Sequence, residues 1–273
     1  MFEQVTRRSK LHSAVSIAEL IYHATVRDVR KGHGNALMAI GLNVLQAVIF
    51  IATFYVMFSL LGLRGAALRG DFLLYIMSGI FLFLTHVKTL GAVAGAEGPA
   101  SPMMQHAPMN TMVAICAAAF SSLYIQLLSL FLILFIYHVA FTPFVIDQPI
   151  WAFTALMLSW FTAVALGLVL LAIKPWFPTF VSTFTTVYQR ANMIASGKMF
   201  VANALPPYML AMFDWNPLFH LIDQSRGFVF VNYVPRNSNL EYPITVGIIL
   251  LMLGLMGEFY TRRHASVSWG ARR

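Results

Sequence analysis

Five apolar stretches, each about 20 residues long or longer, dominate the sequence and leave it few possible folds. They occupy residues 36–61, 72–94, 111–140, 150–173 and 242–260. Hydrocarbon offers no water to backbone polar groups, so a stretch of this length crosses a membrane as an α-helix. The composition agrees, because only 10% of the residues are charged, against roughly 25% in soluble domains. The sequence therefore predicts an all-α integral membrane protein.

The two chain ends determine the expected orientation of these stretches. Basic residues cluster near both ends, and positively charged flanks stay on the cytoplasmic side of a membrane. Two cytoplasmic ends require an even number of crossings, so we expect a weaker, more polar stretch over 179–204 to form a sixth span. The expected order is a cytoplasmic segment over 1–35, a transmembrane domain over 36–260 and a basic cytoplasmic tail over 261–273.

The same clustering argues against nucleic acid as a partner. The net charge of +8 is explained by the positive flanks of membrane spans. A single cysteine, Cys116, excludes an intramolecular disulfide and a cysteine metal cluster. The sequence has no H-E-x-x-H and no G-x-S-x-G, so we expect neither a metal site nor a catalytic site, and no cofactor in this chain.

Residues 11–31 combine apolar side chains at helical spacing with a polar stripe that includes Arg27 and Arg30. This pattern predicts an amphipathic helix on the cytoplasmic surface, with its arginines near anionic lipid head groups. A helix packed on a partner protein is the alternative interpretation.

Residues 205–230 are too broken to span a membrane and too apolar for a solvated loop. The two prolines that begin at Pro206 should end any helix before them. Asn216 is expected as an N-cap with Pro217 in the first helical position, and Gly227 as the residue just after the helix. The pattern predicts a short amphipathic helix that lies at the membrane interface or dips into it. An ordinary extracytoplasmic loop with some buried side chains is the alternative.

An energy source for active transport is not evident in the sequence. Proton- or sodium-driven transporters usually carry an ionisable group at mid-membrane, whereas the nearest acid here, Glu258, lies by the inner end of the last predicted span. The phosphate-binding pattern G-x-x-x-x-G-K-[ST] is absent, although Gly197 and Lys198 form a Gly-Lys pair. Energy for transport would therefore come from another polypeptide.

Arg190 lies roughly 16 Å into the predicted sixth span. An arginine at this depth costs at least a few kcal/mol, roughly, unless it faces water or a partner. The hypothesis is that this helix lines a hydrated channel for an anionic polymer or its lipid-phosphate end. Its candidate residues are Tyr188, Gln189, Arg190, Asn192 and Lys198. The alternative is that Arg190 is buried against a carbonyl or a subunit interface.

The order of these features resembles a known family over essentially the whole chain. An amphipathic N-terminal helix precedes six expected spans, with a proline-rich break between the second and third. Leu205-Pro206, Asn216-Pro217-Leu218 and Arg226 then precede the last span. Together these resemble the permease subunit of ABC-2 type exporters, in particular the capsular polysaccharide (KpsM-type) branch.

The resemblance implies a homodimer with a channel between its protomers. A separate ATP-binding cassette subunit, which carries ATP and Mg, would dock on residues 97–110. The candidate coupling residues are Glu97, Gly98, Pro99, Gln105 and His106. Residues 205–230 would form a re-entrant cap on the outer side of the channel. The candidate gate residues are Pro206, Asn216, Pro217, His220, Asp223 and Arg226.

The resemblance also implies a substrate and a location. The chain would move lipid-linked capsular polysaccharide across the bacterial inner membrane, among the membrane lipids, and a periplasmic polysaccharide co-polymerase would receive the polymer. It would be a permease and not an enzyme. One alternative is a permease of the same class for O-antigen, teichoic acid or a hydrophobic drug. A second is an intramembrane glycosyl- or acyl-transferase, which would need clustered acids or histidines at a membrane face.

Overall fold

The structure, a computed structural model, describes residues 10–31, 36–62, 71–98 and 110–264. Every regular element within these residues is helical. The helices are α1 (Lys10–Lys31), α2 (Ala36–Leu60), α3 (Phe72–Ala94), α4 (Thr111–Ala140), α5 (Pro149–Ile173), α6 (Pro178–Ala195), a 3-10 turn (Ala202–Ala204), α7 (Pro207–Phe213), α8 (Pro217–Val229) and α9 (Glu241–His264).

Five of these helices, α2, α3, α4, α5 and α9, are long and apolar enough to cross a membrane. Their bounds agree with the predicted spans to within a few residues, and α3 and α4 begin and end where the sequence predicts. The protein is therefore an all-α, multi-pass integral membrane protein, which confirms the predicted fold class.

The helix at the predicted sixth span is shorter than expected. α6 has 18 residues, which amounts to roughly 27 Å, and it ends at Ala195 instead of residue 204. The helix stops because Gly197 has a φ of 74°, a left-handed conformation that a right-handed helix cannot contain. Within the described residues, α6 is not among the helices that are long and apolar enough to cross, and the six-crossing topology stays a prediction.

The helices α3, α5 and α9 end side by side. The Lys174 ammonium, just beyond α5, donates a hydrogen bond to the carbonyl of Ala94 at the end of α3, at 3.2 Å. The Thr261 hydroxyl in the last turn of α9 donates to the carbonyl of Ala172 at the end of α5, at 2.9 Å. These contacts bring the three C-terminal ends together at one end of the bundle.

The helices α2 and α4 run in the opposite direction to α3. The Tyr137 hydroxyl near the end of α4 donates to Asp71, the N-cap of α3. Lys88, six residues before the end of α3, donates to Gln46 in the first half of α2. The C-terminal half of α1 packs on α4 and buries Val29 near the end of α3. We call this end of the bundle the α1 end and the opposite one the Asp71 end.

The segment predicted as re-entrant, 205–230, contains two helices, and protein encloses the second one, α8. Leu218 and Ile222 are fully buried on the apolar face, and the polar face is largely buried as well. An amphipathic helix on a membrane surface would leave its polar face in water, so α8 enters the bundle instead. Asn216 caps α8, and Pro217 occupies its first turn, as the sequence predicts.

Two expected helix ends differ from the prediction. α8 continues past Gly227 to Val229. Gly227 is required for close packing, because a Cβ there would lie 2.6 Å from Cδ of Pro235. Pro206 and Pro207 do not end a helix, since α6 has already ended; they are the N-cap and first residue of α7.

Candidate functional site

The helices α6 and α8 meet inside the bundle. α6 packs at the α1 end of α3 and α5, and the Gln189 side chain donates to the carbonyl of Val87 in α3, at 3.3 Å. α8 ends near the start of α5, where the N–H of Gln148 donates to the carbonyl of Phe228, at 2.8 Å. The two helices thus occupy successive parts of the bundle, with residues 196–216 between them.

Asn216 joins these two helices. Its Nδ2 donates to Oδ1 of Asn192 and to the carbonyl of Ala195, each at 2.9 Å. Its Oδ1 accepts the N–H of Leu218, at 3.1 Å. A single amide therefore satisfies a carbonyl at the end of α6 and a donor at the start of α8, two groups that helix ends leave without intrahelical partners.

Arg226 of α8 holds the turn after α6. Nη1 donates to the carbonyls of Gly197 and Phe200, at 2.9 and 2.6 Å, and Nη2 donates to that of Lys198, at 2.6 Å. The guanidinium also stacks over the ring of Tyr75, 4.2 Å from its centroid. Irregular backbone at membrane depth is tolerated where protein satisfies its polar groups, and Arg226 satisfies three of them here.

Lys198 is held inside the protein, although the sequence predicts it in a channel. Only 3% of the residue is exposed. Its ammonium donates to the carbonyl of Met193, at 2.9 Å, and lies 3.5 Å from the ring centroid of Phe83. The aromatic face and the carbonyl together compensate the cation in place of water.

The five residues predicted to line a channel do not share one surface. Asn192 is buried, and Gln189 donates to the α3 backbone. The Tyr188 hydroxyl lies 3.0 Å from Nε2 of His86, whose Nδ1 lies 3.1 Å from the carbonyl of Ser159 in α5. These contacts turn one side of α6 toward α3 and α5.

Arg190 lies on the opposite side of α6 and is exposed. It is accompanied by a polar stripe at spacings of three and four residues: Thr179, Ser182, Thr183 and Thr186. These four residues were not among the predicted site residues, although they follow from Arg190 by counting back in helical steps. An apolar strip lies beside it on the same exposed surface, formed by Phe180, Val187 and Ile194.

The predicted gate residue Asp223 accepts hydrogen bonds from two residues in the segment between α8 and α9. The Tyr233 hydroxyl donates to one carboxylate oxygen, and the Ser238 hydroxyl to the other, at 2.7 Å. Burial and then the neighbouring Asp223 carboxylate raise the pKa of Tyr233 well above its ordinary value. The phenol therefore stays protonated. The two hydrogen bonds hold the chain after α8 against the helix.

His220 makes hydrogen bonds to the segments before and after α8. Its Nδ1 accepts the N–H of Asn239, at 3.2 Å, so Nε2 carries the proton and donates to the carbonyl of Asp214, at 2.7 Å. The ring also lies 4.9 Å from that of Tyr242 in α9. His220, Asp223 and Arg226 are thus all buried and hydrogen-bonded, and each joins α8 to a neighbouring segment.

The predicted coupling residues are described only in part. Glu97 and Gly98 follow α3 at the α1 end, and Glu97 lines a small cleft with Arg27 and Asp28 of α1. Pro99, Gln105 and His106 lie outside the described residues.

Within the part of the chain that the structure describes, no three His, Cys, Asp or Glu residues are grouped so as to hold a metal ion. Inside the five span helices described, the only acids are Glu241 at the start of α9 and Glu258. Glu258 lies close to the α1 end, as the Thr261 contact with α5 shows.

The chain is similar to two curated proteins of Escherichia coli, each named polysialic acid transport protein KpsM. The identity is 23% over 202 residues for the first and 23% over 206 residues for the second. In both cases the similarity covers 72% of this chain and 76% of the relative. No protein-family model matches the chain.

Proposed function

We propose that this chain is the permease subunit of an ABC-2 type exporter that moves lipid-linked capsular polysaccharide across the bacterial inner membrane. The observation that carries the proposal is the similarity to the polysialic acid transport protein over 72% of the chain. The all-helical, multi-pass fold is compatible with it.

The exposed polar stripe of α6 supports a channel between two copies of the chain. An arginine on the outside of a membrane bundle needs water or a second protein surface. In a homodimer with its α6 helices face to face, the stripes around Arg190 would border a hydrated path. An anionic polymer in that path would interact favourably with Arg190, while the apolar strip beside it packs against the second protomer or lipid.

The distribution of acids supports an external energy source. Neither acid of the described spans lies in the middle of its helix, where ion-coupled transporters usually carry one. In this proposal an ATP-binding cassette subunit, with its ATP and Mg, docks at the α1 end through residues 97–110. Glu97 and Gly98 lie at that end, beside α1.

The enclosed helix α8 is suited to the role of an outer cap. Under the predicted topology the Asp71 end of the bundle, where α8 ends, faces the periplasm. A polysaccharide co-polymerase would receive the polymer there. Contacts from Asn216, His220, Asp223 and Arg226 fix the cap to its surroundings. Opening it would require these hydrogen bonds to be exchanged for others.

The test is purification of the tagged chain from its native membrane in mild detergent, followed by ATPase assay and identification of co-purifying proteins. The expected result is a P-loop ATPase of similar abundance with ATP turnover. Cells that lack the chain should accumulate lipid-linked polysaccharide inside. A chain that purifies alone, without ATP turnover, would contradict the proposal and favour the transferase interpretation. A partner ATPase without internal polysaccharide would instead indicate a drug or another polymer.

A further inference from the structure

A polar cleft of about 450 Å³ opens at the α1 end between α1, α2, α3 and α4. It does not involve α6, α7 or α8. Six of its polar lining residues come from three membrane-spanning helices: Asn43, Gln46, Lys88, Ser121, Ser122 and Gln126. A cleft of this polarity within a membrane bundle holds either water or a polar ligand.

Lys88 supplies the charge of this cleft. It lies six residues, or roughly 9 Å, from the end of α3. Its ammonium donates to Oε1 of Gln46, at 2.6 Å, and none of the ion pairs found among the described residues includes Lys88. An ammonium has three donors and is costly to bury without an opposite charge. A negatively charged occupant would remove that cost.

The one acid in the lining, Asp28 of α1, has another partner. Its carboxylate lies 3.5 Å from Nη2 of Arg27. An adjoining cleft of about 270 Å³ shares Asp28 with the first and contains Arg27 together with Glu97. Arg27 therefore offsets Asp28, and Lys88 remains the uncompensated charge of the larger cleft.

The neutral side chains of the lining provide donors suited to phosphate. Because Gln46 accepts from Lys88 through Oε1, its amide N–H groups remain available as donors. Asn43 and Gln126 are fixed by hydrogen bonds, from Gln126 to Asn43 at 3.1 Å and from Asn43 to Ser129 at 2.8 Å. Each uses one amide N–H in these bonds and keeps a second. Lysine and amide donors around one space match the acceptor oxygens of a phosphate.

An apolar surface continues from the cleft along the outside of α2. Leu42 lines the cleft and is also exposed, and Leu45 and Ile49 follow it at helical spacing with about half of their surface exposed. A ligand with a phosphate at Lys88 could therefore lay a hydrocarbon chain along this strip. A free anion would leave the strip unused.

We propose that this cleft binds one anionic phospholipid of the surrounding membrane. Its phosphate lies at Lys88, and an acyl chain follows Leu42, Leu45 and Ile49. The assignment requires only that the bundle sits in a membrane, so it is independent of the exporter function and of any polysaccharide.

The test uses the purified full-length protein and native mass spectrometry with added phosphatidylglycerol or phosphatidylethanolamine. The wild type should bind one phosphatidylglycerol at least about tenfold more tightly than phosphatidylethanolamine. Lys88→Gln should remove this preference, whereas Lys88→Arg should keep it. The matched control is Lys174→Gln, because Lys174 also lies near the α1 end but donates to a backbone carbonyl outside the cleft.

A second variant tests the cleft without changing its charge. Ala92 lines its wall, so Ala92→Leu should fill part of the space and weaken phosphatidylglycerol binding while Lys88 remains. Equal binding of both lipids to the wild type, or an unchanged preference in Lys88→Gln, would overturn the assignment. Displacement of the lipid by millimolar inorganic phosphate would also overturn it, because the site would then recognise phosphate alone.

Discussion

Asn216 donates a hydrogen bond to Oδ1 of Asn192, at 2.9 Å, and this contact ties the beginning of α8 to the last turn of α6. The two residues are 24 positions apart in the chain. The contact also sets the orientation of α6, because Asn192 must face the bundle for it to form. Arg190, two residues earlier, is then turned to the outside.

Asn216→Ala should destabilise the protein more than loss of an ordinary helix cap. A lost N-cap costs about 1 kcal/mol, and the two further hydrogen bonds to α6 contribute about 1 kcal/mol each. The matched control is Asn110→Ala. Asn110 is the N-cap of α4, and the hydrogen bond that its side chain makes within the described residues is the one it accepts from the N–H of Met112. Thermal unfolding in detergent should show the larger loss for Asn216→Ala, and equal losses would contradict the joining role.

Export should fall when the cap and its proline are changed together. Asn216→Ala combined with Pro217→Ala loosens the start of α8, so we expect reduced export while the protein still inserts into the membrane. Export is measured as polysaccharide on the cell surface, with protein abundance in the membrane as the control. Full export at normal abundance would argue against a gating role for this segment.

Arg226→Met should be among the most destabilising single substitutions. It removes the guanidinium donor from the carbonyls of Lys198 and Phe200, while the Gly197 carbonyl keeps only the N–H of Phe200, at 3.3 Å. Each buried carbonyl left unsatisfied costs about 1–3 kcal/mol. Arg226→Lys should recover only part of the loss, because an ammonium cannot reproduce the planar fork of the guanidinium. Melting temperatures of the two variants in the same detergent provide the measurement, and a wild-type value for Arg226→Met would show that Arg226 does not stabilise the turn after α6.

Arg190→Met should impair export without destabilising the protein, in contrast to Arg226→Met. Arg190 is exposed and makes none of the hydrogen bonds or ion pairs found among the described residues, so we expect a melting temperature close to that of the wild type. If the stripe on α6 borders a path for an anionic polymer, export should fall several-fold, and Arg190→Lys should retain part of it. Unchanged export in a normally assembled Arg190→Met variant would remove the channel hypothesis.

Gly227→Ala should destabilise α8 although alanine favours helices. The new Cβ would lie 2.6 Å from Cδ of Pro235, and overpacking of this kind costs about 1–3 kcal/mol. Adding Pro235→Ala should restore much of the loss, because it removes the clashing ring atoms. Gly41→Ala in α2 is the control, since a Cβ there meets no atom within 4 Å. Stability that is equal in Gly227→Ala and Gly41→Ala would contradict the close packing.

The parts of this structure that depend on neighbouring residues in the chain could be predicted from the sequence. A long apolar run forms one continuous helix, so the bounds predicted for the second and third spans agree with those of the helices α3 and α4. The Asn216-Pro217 cap was also correct, because a side chain caps the backbone two residues ahead of it.

Features that depend on distant parts of the chain could not be predicted. The spacing of polar and apolar residues in α6 does not tell which face of the helix packs on α3. The face that packs inward is the one that hydrogen-bonds to His86 and Val87, about a hundred residues earlier in the chain. The same limit applies to Gly227. A glycine near the end of a helical pattern predicts that the helix ends there. Gly227 is instead needed for close packing against Pro235, which lies in the loop after α8.

The junction at Asn216 has an electrostatic consequence. The carbonyl end of α6 carries the negative pole of a helix dipole, and the N–H end of α8 carries a positive pole of similar size. Because Asn216 joins both ends, the two opposite poles lie side by side and largely cancel, where water is scarce and an isolated pole would be strongly felt. The two helix ends therefore offset each other's dipoles where the chain leaves α6 and where it enters α8.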